Sequence, residues 1–376
     1  MTIDDLLTET VDSARIREQT AIDELMAAVE GNVVLYGAGS LGRKVASALR
    51  SGGIEPLAFA DNNTRLSGTR INGISVVAPA MAAKRWGGDA LFVITTFLAT
   101  EGGVRDRMAE LSTLGCKWIT SFLPVGWKYS GILPHFGADR PSEILRYAPE
   151  LEKAGKLWTD NLSRETYRSV LEWRLCARFD AAMQPAPNQY FPSDVLLPIS
   201  NEIFIDGGAF DGDTLRSAPW PLSKVLAIEP DPTNATLLRA VMGKNTQLHE
   251  VLLGSSSGSA RFAGNGTMAS SRSDMGILEI PVATLDELTR EDHPTFLKLD
   301  IEGDELAALR GGVGMLKRDN PVVAVCVYHR PEDLWTIPIF LSELLPEHSM
   351  YLRAHAWDGF ELVAYAVPRA RCQTPK

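Results

Sequence analysis

The chain is 376 residues long, with 45% hydrophobic and 22% charged residues. That length exceeds one ordinary domain, and the composition is that of a folded globular protein rather than a disordered one. Its 37 lysines and arginines against 47 aspartates and glutamates leave a formal net charge of −10, which argues against a nucleic-acid partner, since such domains carry basic patches to neutralise phosphates.

Cys116, Cys176, Cys326 and Cys372 are scattered without a CxxC pair, so neither a zinc knuckle nor a disulfide framework is expected and a reducing compartment fits. The opening MTIDDLLTETVDSARIREQ is acidic and lacks the apolar core of a signal peptide. No apolar run approaches the roughly 20 residues that span a bilayer. The expectation is a cytoplasmic protein with no membrane partner.

Residues 1–30 place Ile16, Ile22, Leu25, Met26 and Val29 at helical spacing, which predicts a leading amphipathic helix. NVVLYGAGSLGRKVASALRSGG then reads as strand, glycine turn and helix, closed by glycines. EPLAFADNN, ALFVITT and KWITSFLP are further short strands, so residues 31–125 read as a parallel α/β sheet. From 126 to 198 the texture changes to a helical connector. SRETYRSVLEWRLCARFDAAM carries Tyr167, Val170, Leu171, Leu175 and Phe179 at helical spacing, and QPAPNQYFP is a proline-rich loop.

Residues 199–376 hold a second alternating series: EIFIDGG, KVLAIEP, QLHEVLLG, FLKLDIEG and PVVAVCVYH, then SMYLRAHA and FELVAYAVP joined by Trp357-Asp358-Gly359. Asp-Gly between two apolar runs is a strong hairpin signal. The fold class expected is α/β with two Rossmann-like domains, and the C-terminal series, ending in an antiparallel hairpin, resembles the seven-stranded class I methyltransferase sheet.

The two glycine turns differ in charge. YGAGSLGRK carries Gly37, Gly39 and Gly42 with no acid in the loop, Arg43 and Lys44 on the helix, and Asp61 at the end of the next strand, where a ribose-binding acid is expected. This turn suits a nucleotide or nucleotide-sugar, although a purely structural turn reads almost as well. The second turn interleaves Gly207, Gly208 and Gly212 with Asp206, Asp211 and Asp213. A carboxylate about 4 Å from a phosphate charge would cost on the order of 4 kcal/mol at an effective dielectric near 20. A phosphate-free cation, S-adenosyl-L-methionine, fits better. Asp206, Gly207, Gly208, Asp211, Gly212, Thr214, Glu229 and Asp231 are then the cofactor-binding candidates, with Glu229 accepting from the ribose hydroxyls. Asp213 reads as the cap of the following helix.

These stretches resemble the FkbM-type S-adenosylmethionine-dependent methyltransferases over roughly residues 196–367. The resemblance rests on FIDGGAFDGDT, IEPDPTN, TLDEL, FLKLDIEGDELAALRGG, VYHRPEDLW and YLRAHAWDGFELVAYAVP. It implies O-methylation of a hydroxyl on a sugar, glycan precursor or secondary metabolite. FADNNTRLSGTRINGISVVAP, together with the first turn, is similar to the small Rossmann-like domain of some sugar O-acyltransferases, which holds a nucleotide-sugar.

Methyl transfer needs alignment and, for a hydroxyl, proton removal. Asp300 and His329 are the general-base candidates, His329 slightly favoured because its ordinary pKa is nearer working pH. Glu302 is read as orienting substrate or base, and Lys298 as either catalytic or a structural lysine. The Asp/Glu pair could instead hold a divalent metal, but only two carboxylates are evident together, so no resident metal is expected. His355 and the aromatics Trp335, Trp357 and Phe360 read as structural. The competing readings are a nicotinamide-dependent oxidoreductase using the first turn and a non-enzymatic nucleotide-binding scaffold. A small-molecule or saccharide substrate and a homo-oligomer complete the expectations.

Overall fold

The computed structural model describes residues 2–96, 102–131, 139–179, 185–264, 271–272 and 276–373. The chain divides into two compact units. Met1–Glu152, Glu165–Gln184 and Ala356–Phe360 form the first; Lys153–Arg164, Pro185–His355 and Glu361–Lys376 form the second.

In the first unit β1 (Val33–Tyr36), β2 (Ala58–Ala60), β3 (Arg70–Ile71), β4 (Ile74–Val77), β5 (Leu91–Ile94) and β6 (Trp118–Ser121) make one sheet in the order β3-β4-β2-β1-β5-β6. β1 lies parallel to β2 and β5, and β5 parallel to β6. Every residue of β1 and β5 is buried, which is why VVLY and LFVI read as unbroken apolar runs: a parallel strand is covered on both faces. The antiparallel β3–β4 pair is an element the sequence reading did not include. It turns at Asn72-Gly73, whose φ values of 49° and 83° are both left-handed, as a two-residue hairpin turn requires.

The leading helix, Val11–Ala27, has the expected period but a different phase. Ala14, Glu18, Ile22 and Met26 face inward, and Ile16 is 66% exposed. An acid can sit on that stripe because the Glu18 carboxylate accepts the Ser142 N–H at 2.5 Å and the Ser142 hydroxyl at 3.1 Å. The later predicted helix runs Asn161–Cys176, with Tyr167, Val170, Leu171 and Leu175 buried. Phe179 is buried just beyond its end, and residues 180–183 of that stretch lie outside the described residues.

The second unit contains β7 (Glu202–Gly207), β8 (Leu222–Ile228), β9 (Thr246–His249), β10 (Leu252–Leu253), β11 (Gly258–Ala263), β12 (Ser271–Arg272), β13 (Leu278–Ala283), β14 (Phe296–Leu299), β15 (Val322–Cys326), β16 (His348–Ala354) and β17 (Leu362–Pro368). Seven of them form the main sheet in the order β16-β17-β15-β14-β7-β8-β9. β17 runs antiparallel to both β15 and β16, and the other pairs are parallel. The β16–β17 turn is centred on Trp357–Gly359, with Asp358 and Gly359 at φ 59° and 76°.

QLHEVLLG, expected as one strand, is two. β9 closes the edge of the main sheet, whereas β10 starts a separate four-stranded sheet, β10-β13-β11-β12, inserted before β14. The core of this unit gathers on Phe204, Phe296 and Val225 of the main sheet. The irregular segment QPAPNQYFP contributes to it: the Phe191 ring lies 5.6 Å from Phe204, 5.5 Å from Phe296 and 5.2 Å from Trp220. Burying such a ring is worth about 1.5–3 kcal/mol, enough to pin the loop and with it the neighbouring Tyr190.

Candidate active site

β7, β8, β14 and β15 are parallel neighbours, so their carboxyl ends form a common edge, where ligands of open α/β sheets bind. Register decides what meets there. Lys298 of β14 is the partner of Asp206 of β7, and side chains paired across parallel strands share a face. Lys298 Nζ therefore sits 3.0 Å from Asp206 Oδ1, with both side chains buried. It also donates to the Gly208 carbonyl at 2.7 Å and lies 5.2 Å from the Tyr190 ring centroid. Burial works against its charge, but Asp206 and Asp300 outweigh it and push the Lys298 pKa up. A buried charge persists only when paired in this way. Lys298 is thus held beneath the glycine turn as a strut.

The turn itself needs its glycines. Gly208 has φ 79°, and a Cβ there would lie 1.8 Å from the Asp300 carbonyl oxygen, so the β7 and β14 ends close on each other. Gly207 is less tightly enclosed, a Cβ there meeting the Leu299 side chain at 2.8 Å. Gly212, at φ 86°, caps the short helix Asp213–Ser217. Asp213, expected as that cap, is instead the first helical residue, and its carboxylate takes the Thr214 N–H at 2.8 Å. The correction is local: the chain leaves the turn left-handed, a conformation glycine adopts at no cost. Thr214 is buried. Asp211 pairs with Arg216 at 2.7 Å.

At the end of β8, Glu229 is 5% exposed, and its two carboxylate oxygens each accept one backbone N–H, from Phe210 at 2.9 Å and Asp231 at 2.8 Å. Those bonds, with a further one from the Asn234 side chain, fix the carboxylate and leave it accepting capacity toward the sheet edge. Burial nevertheless pushes its pKa up to about 7. Asp231 caps the helix Pro232–Val241, accepting from Thr233 N–H at 2.8 Å.

Three further side chains converge where β14 and β15 end. His329 Nε2 lies 3.3 Å from Asp300 Oδ1 and 3.8 Å from Glu302 Oε1. Its Nδ1 is 2.8 Å from Glu305 Oε1, which also accepts the Ile301 N–H at 2.8 Å. Tyr190 donates to Asp300 Oδ2 at 2.6 Å. Burial resists the charge on His329, but Glu305, Asp300 and Glu302 raise its pKa to about 10. Burial likewise opposes Asp300, yet Lys298, His329 and Tyr190 hold it below the usual carboxylate range. Glu302 is pushed up to about 7 by burial, and it sits at φ 59° followed by Gly303 at φ 103°. A non-glycine residue there is strained, as residues at functional sites often are.

Glu305 and Tyr190 were not anticipated. Glu305 follows the recognised DIEG box and opens the next helix, a visible though unspecific signal. Tyr190, at φ 67° in a loop without periodicity, offered none. His355 is structural, bonded through Nδ1 to the Ala186 carbonyl and through Nε2 to the Tyr365 hydroxyl. Trp335 and Phe360 are buried, Trp357 half-buried.

The first turn is built differently. Gly37 has φ 112°, and a Cβ on Gly42 would lie 2.0 Å from the Gly37 carbonyl oxygen. Gly39 caps the helix Ser40–Ser51 with no side-chain hydrogen bond. Asp61 accepts the Ala38 N–H through one oxygen and the Asn63 N–H through the other, each at 2.8 Å. Arg43 and Lys44 are exposed on the helix.

The family model of the methyltransferase FkbM domain matches residues 206–356, the segment from the acid of the second turn to the β16–β17 turn. The crystal structure of a methyltransferase FkbM from Methylobacillus flagellatus KT aligns with a TM-score of 0.76 at 22% identity, covering 97% of this chain and 99% of that one. At that identity the likeness is one of fold, and it extends over both units. No curated protein matches the chain. Among the described residues no helix is long and apolar enough to cross a membrane.

Proposed function

From the methyltransferase FkbM domain that residues 206–356 carry, which makes this protein an enzyme of that kind, we propose S-adenosyl-L-methionine-dependent methylation of a hydroxyl, the acceptor being a saccharide, glycan precursor or other small hydroxylated molecule. The observation that supports it most is the pairing of a phosphate-averse turn with a carboxylate cluster at one sheet edge. Glu229 is already oriented by two backbone N–H groups and can accept from ribose hydroxyls. Gly207 and Gly208 keep the β7 end free of side chains. Asp213 has no cationic partner among the described residues, unlike Asp206 and Asp211. This donor set fits a cationic adenosyl compound.

When bound, that cofactor supplies a methyl carbon already activated on sulfur: the C–O bond forms, the C–S bond breaks with its electron pair left on sulfur, and the hydroxyl proton is released. The chain's own residues do the rest. Asp300, Glu302 and His329 receive the acceptor hydroxyl and neutralise its lost proton, Tyr190 and Glu305 hold Asp300 and His329 in place, and Lys298 keeps the turn shut against β14. The first turn, with an uncapped helix start and no acid in the loop, is proposed for a nucleotide or nucleotide-sugar. The test is transfer of isotope-labelled methyl from S-adenosylmethionine to a panel of saccharide hydroxyls. Labelled ether product that Asp300→Asn and His329→Ala abolish is the expected result; absence of transfer across the panel contradicts the reading.

A further inference from the structure

We propose that Asp300, Glu302 and His329 together bind a divalent cation of the Mn²⁺ type, with Glu305 orienting the histidine. The proposal deepens the methyl-transfer reading and rests on it for the ion's role, though not for its binding.

One oxygen from each acid and one ring nitrogen lie within 4.8 Å of one another. Glu305 sits on Nδ1, so the nitrogen turned toward the two acids is Nε2. That atom is buried and makes no hydrogen bond, and the His329 side chain is only 4% exposed. Something positive must lie between a ring nitrogen and two carboxylates. A proton on Nε2 would draw an acid to about 2.7–2.9 Å, as charge-assisted bonds do. The spacings of 3.3 and 3.8 Å are longer than that. The 3.3 Å spacing is that of tetrahedrally related ligands each about 2.0–2.2 Å from one ion, and the 3.8 Å spacing closes to it with a small shift of Glu302.

Charge points the same way. Asp300, Glu302 and Glu305 converge on one imidazole, and the lysine below, Lys298, is engaged by Asp206. Partly buried like charges this close disfavour ionisation, and a cation between them relieves that repulsion. A carboxylate holding the remote nitrogen of a ligand histidine is the usual outer support of a metal-bound imidazole, and here Glu305 is wholly buried. Mixed imidazole and carboxylate donors suit Mn²⁺ and its neighbours. Three protein donors leave coordination positions open, as sites that bind substrate do. A hydroxyl at such a position is acidified by the ion, so its proton goes to solvent while the ion holds the oxygen. His329 then serves as a ligand rather than as the base. From the sequence His329 reads as the base, so only the two carboxylates remain to be weighed as metal ligands.

The test uses the full chain, stripped with chelator and titrated with Mn²⁺ alone, following the loss of the free-ion signal by electron paramagnetic resonance. One site per chain is expected. Glu302→Gln, whose side chain is partly exposed, and His329→Ala should each weaken it at least tenfold, and Glu305→Gln by about tenfold. Asp12→Asn, at a surface ion pair of the first unit, should leave it unchanged. Absence of one-site binding, or binding that survives Glu302→Gln in protein with an unchanged circular dichroism spectrum, overturns the proposal. S-adenosylhomocysteine calorimetry on the same samples separates the two claims. Binding of that compound without Mn²⁺ uptake removes the ion and keeps methyl transfer; the reverse removes methyl transfer and keeps the ion.

Discussion

At the Gly37 turn a helix of 12 residues begins at an uncapped glycine, and the nearby acid, Asp61, accepts one backbone N–H on each oxygen, as Glu229 does. At the Gly208 turn the helix has 5 residues and opens on Asp213, and a buried lysine grips the turn's own carbonyl from beneath. Both turns place a left-handed glycine after a parallel strand, yet the first presents a helix dipole with bare N–H groups and the second presents carboxylates. The glycine pattern therefore specifies a backbone shape, and the surrounding charge specifies the ligand. Two carboxylates that look like ligand contacts in sequence, Asp206 and Asp211, turn out to have cationic partners, so the electrostatics of the second turn rest on fewer residues than its composition implies.

The two turns differ most at the acid cluster, which has no counterpart beside Gly37 among the described residues. His329→Ala and Asp300→Asn should lower turnover by about 10²–10⁴ while changing S-adenosylhomocysteine affinity less than about threefold. Equal loss in both, by steady-state kinetics and calorimetry, would assign them to binding. Next comes the strut. Lys298→Met leaves the Asp206 carboxylate buried and unpaired, and should cost about 3–5 kcal/mol in denaturant unfolding, whereas Arg43→Ala at the first turn should stay within about 0.5 kcal/mol. The glycines give a smaller contrast. Gly208→Ala and Gly42→Ala both drive a Cβ into a carbonyl oxygen and should each cost about 1–3 kcal/mol; Gly39→Ala, with nothing within 4 Å, should be nearly neutral.

The mildest effect is a pH dependence. Burial raises Glu229 from 4.5 to about 7. The folded state then holds its proton more tightly than the unfolded one, so this group's contribution makes stability fall as pH rises from about 4.5 through about 7. Ribose hydroxyls donate to the ionised form, so S-adenosylhomocysteine affinity should rise several-fold between pH 6 and 8 and stay flat in Glu229→Gln.

Much of this was legible in the chain. Parallel strands covered on both faces leave unbroken apolar runs, and each strand predicted for the main sheet holds a strand there. The hairpin at Asn72-Gly73 carried its signal and was passed over because β3 has only 2 residues. The split of QLHEVLLG left no mark, since leaving one sheet edge for another needs no change in apolar pattern. β13 does alternate, with Ile280 and Val282 inward, but Pro281 interrupts the strand reading. At the site, strand ends located Asp300, Glu302 and His329. That a single ring nitrogen faces both acids depends on tertiary distances, and Tyr190 reaches Asp300 only because Phe191 anchors its loop.

The central claim is that the acid-bearing turn of the second unit, with Glu229, holds a cationic, phosphate-free adenosyl compound. Calorimetric titration of the full chain with S-adenosylhomocysteine tests it most directly, beside Glu229→Ala. One-site binding in the wild type that weakens at least tenfold in the variant is the expected result. No binding in the wild type, or equal binding in both proteins, contradicts the account.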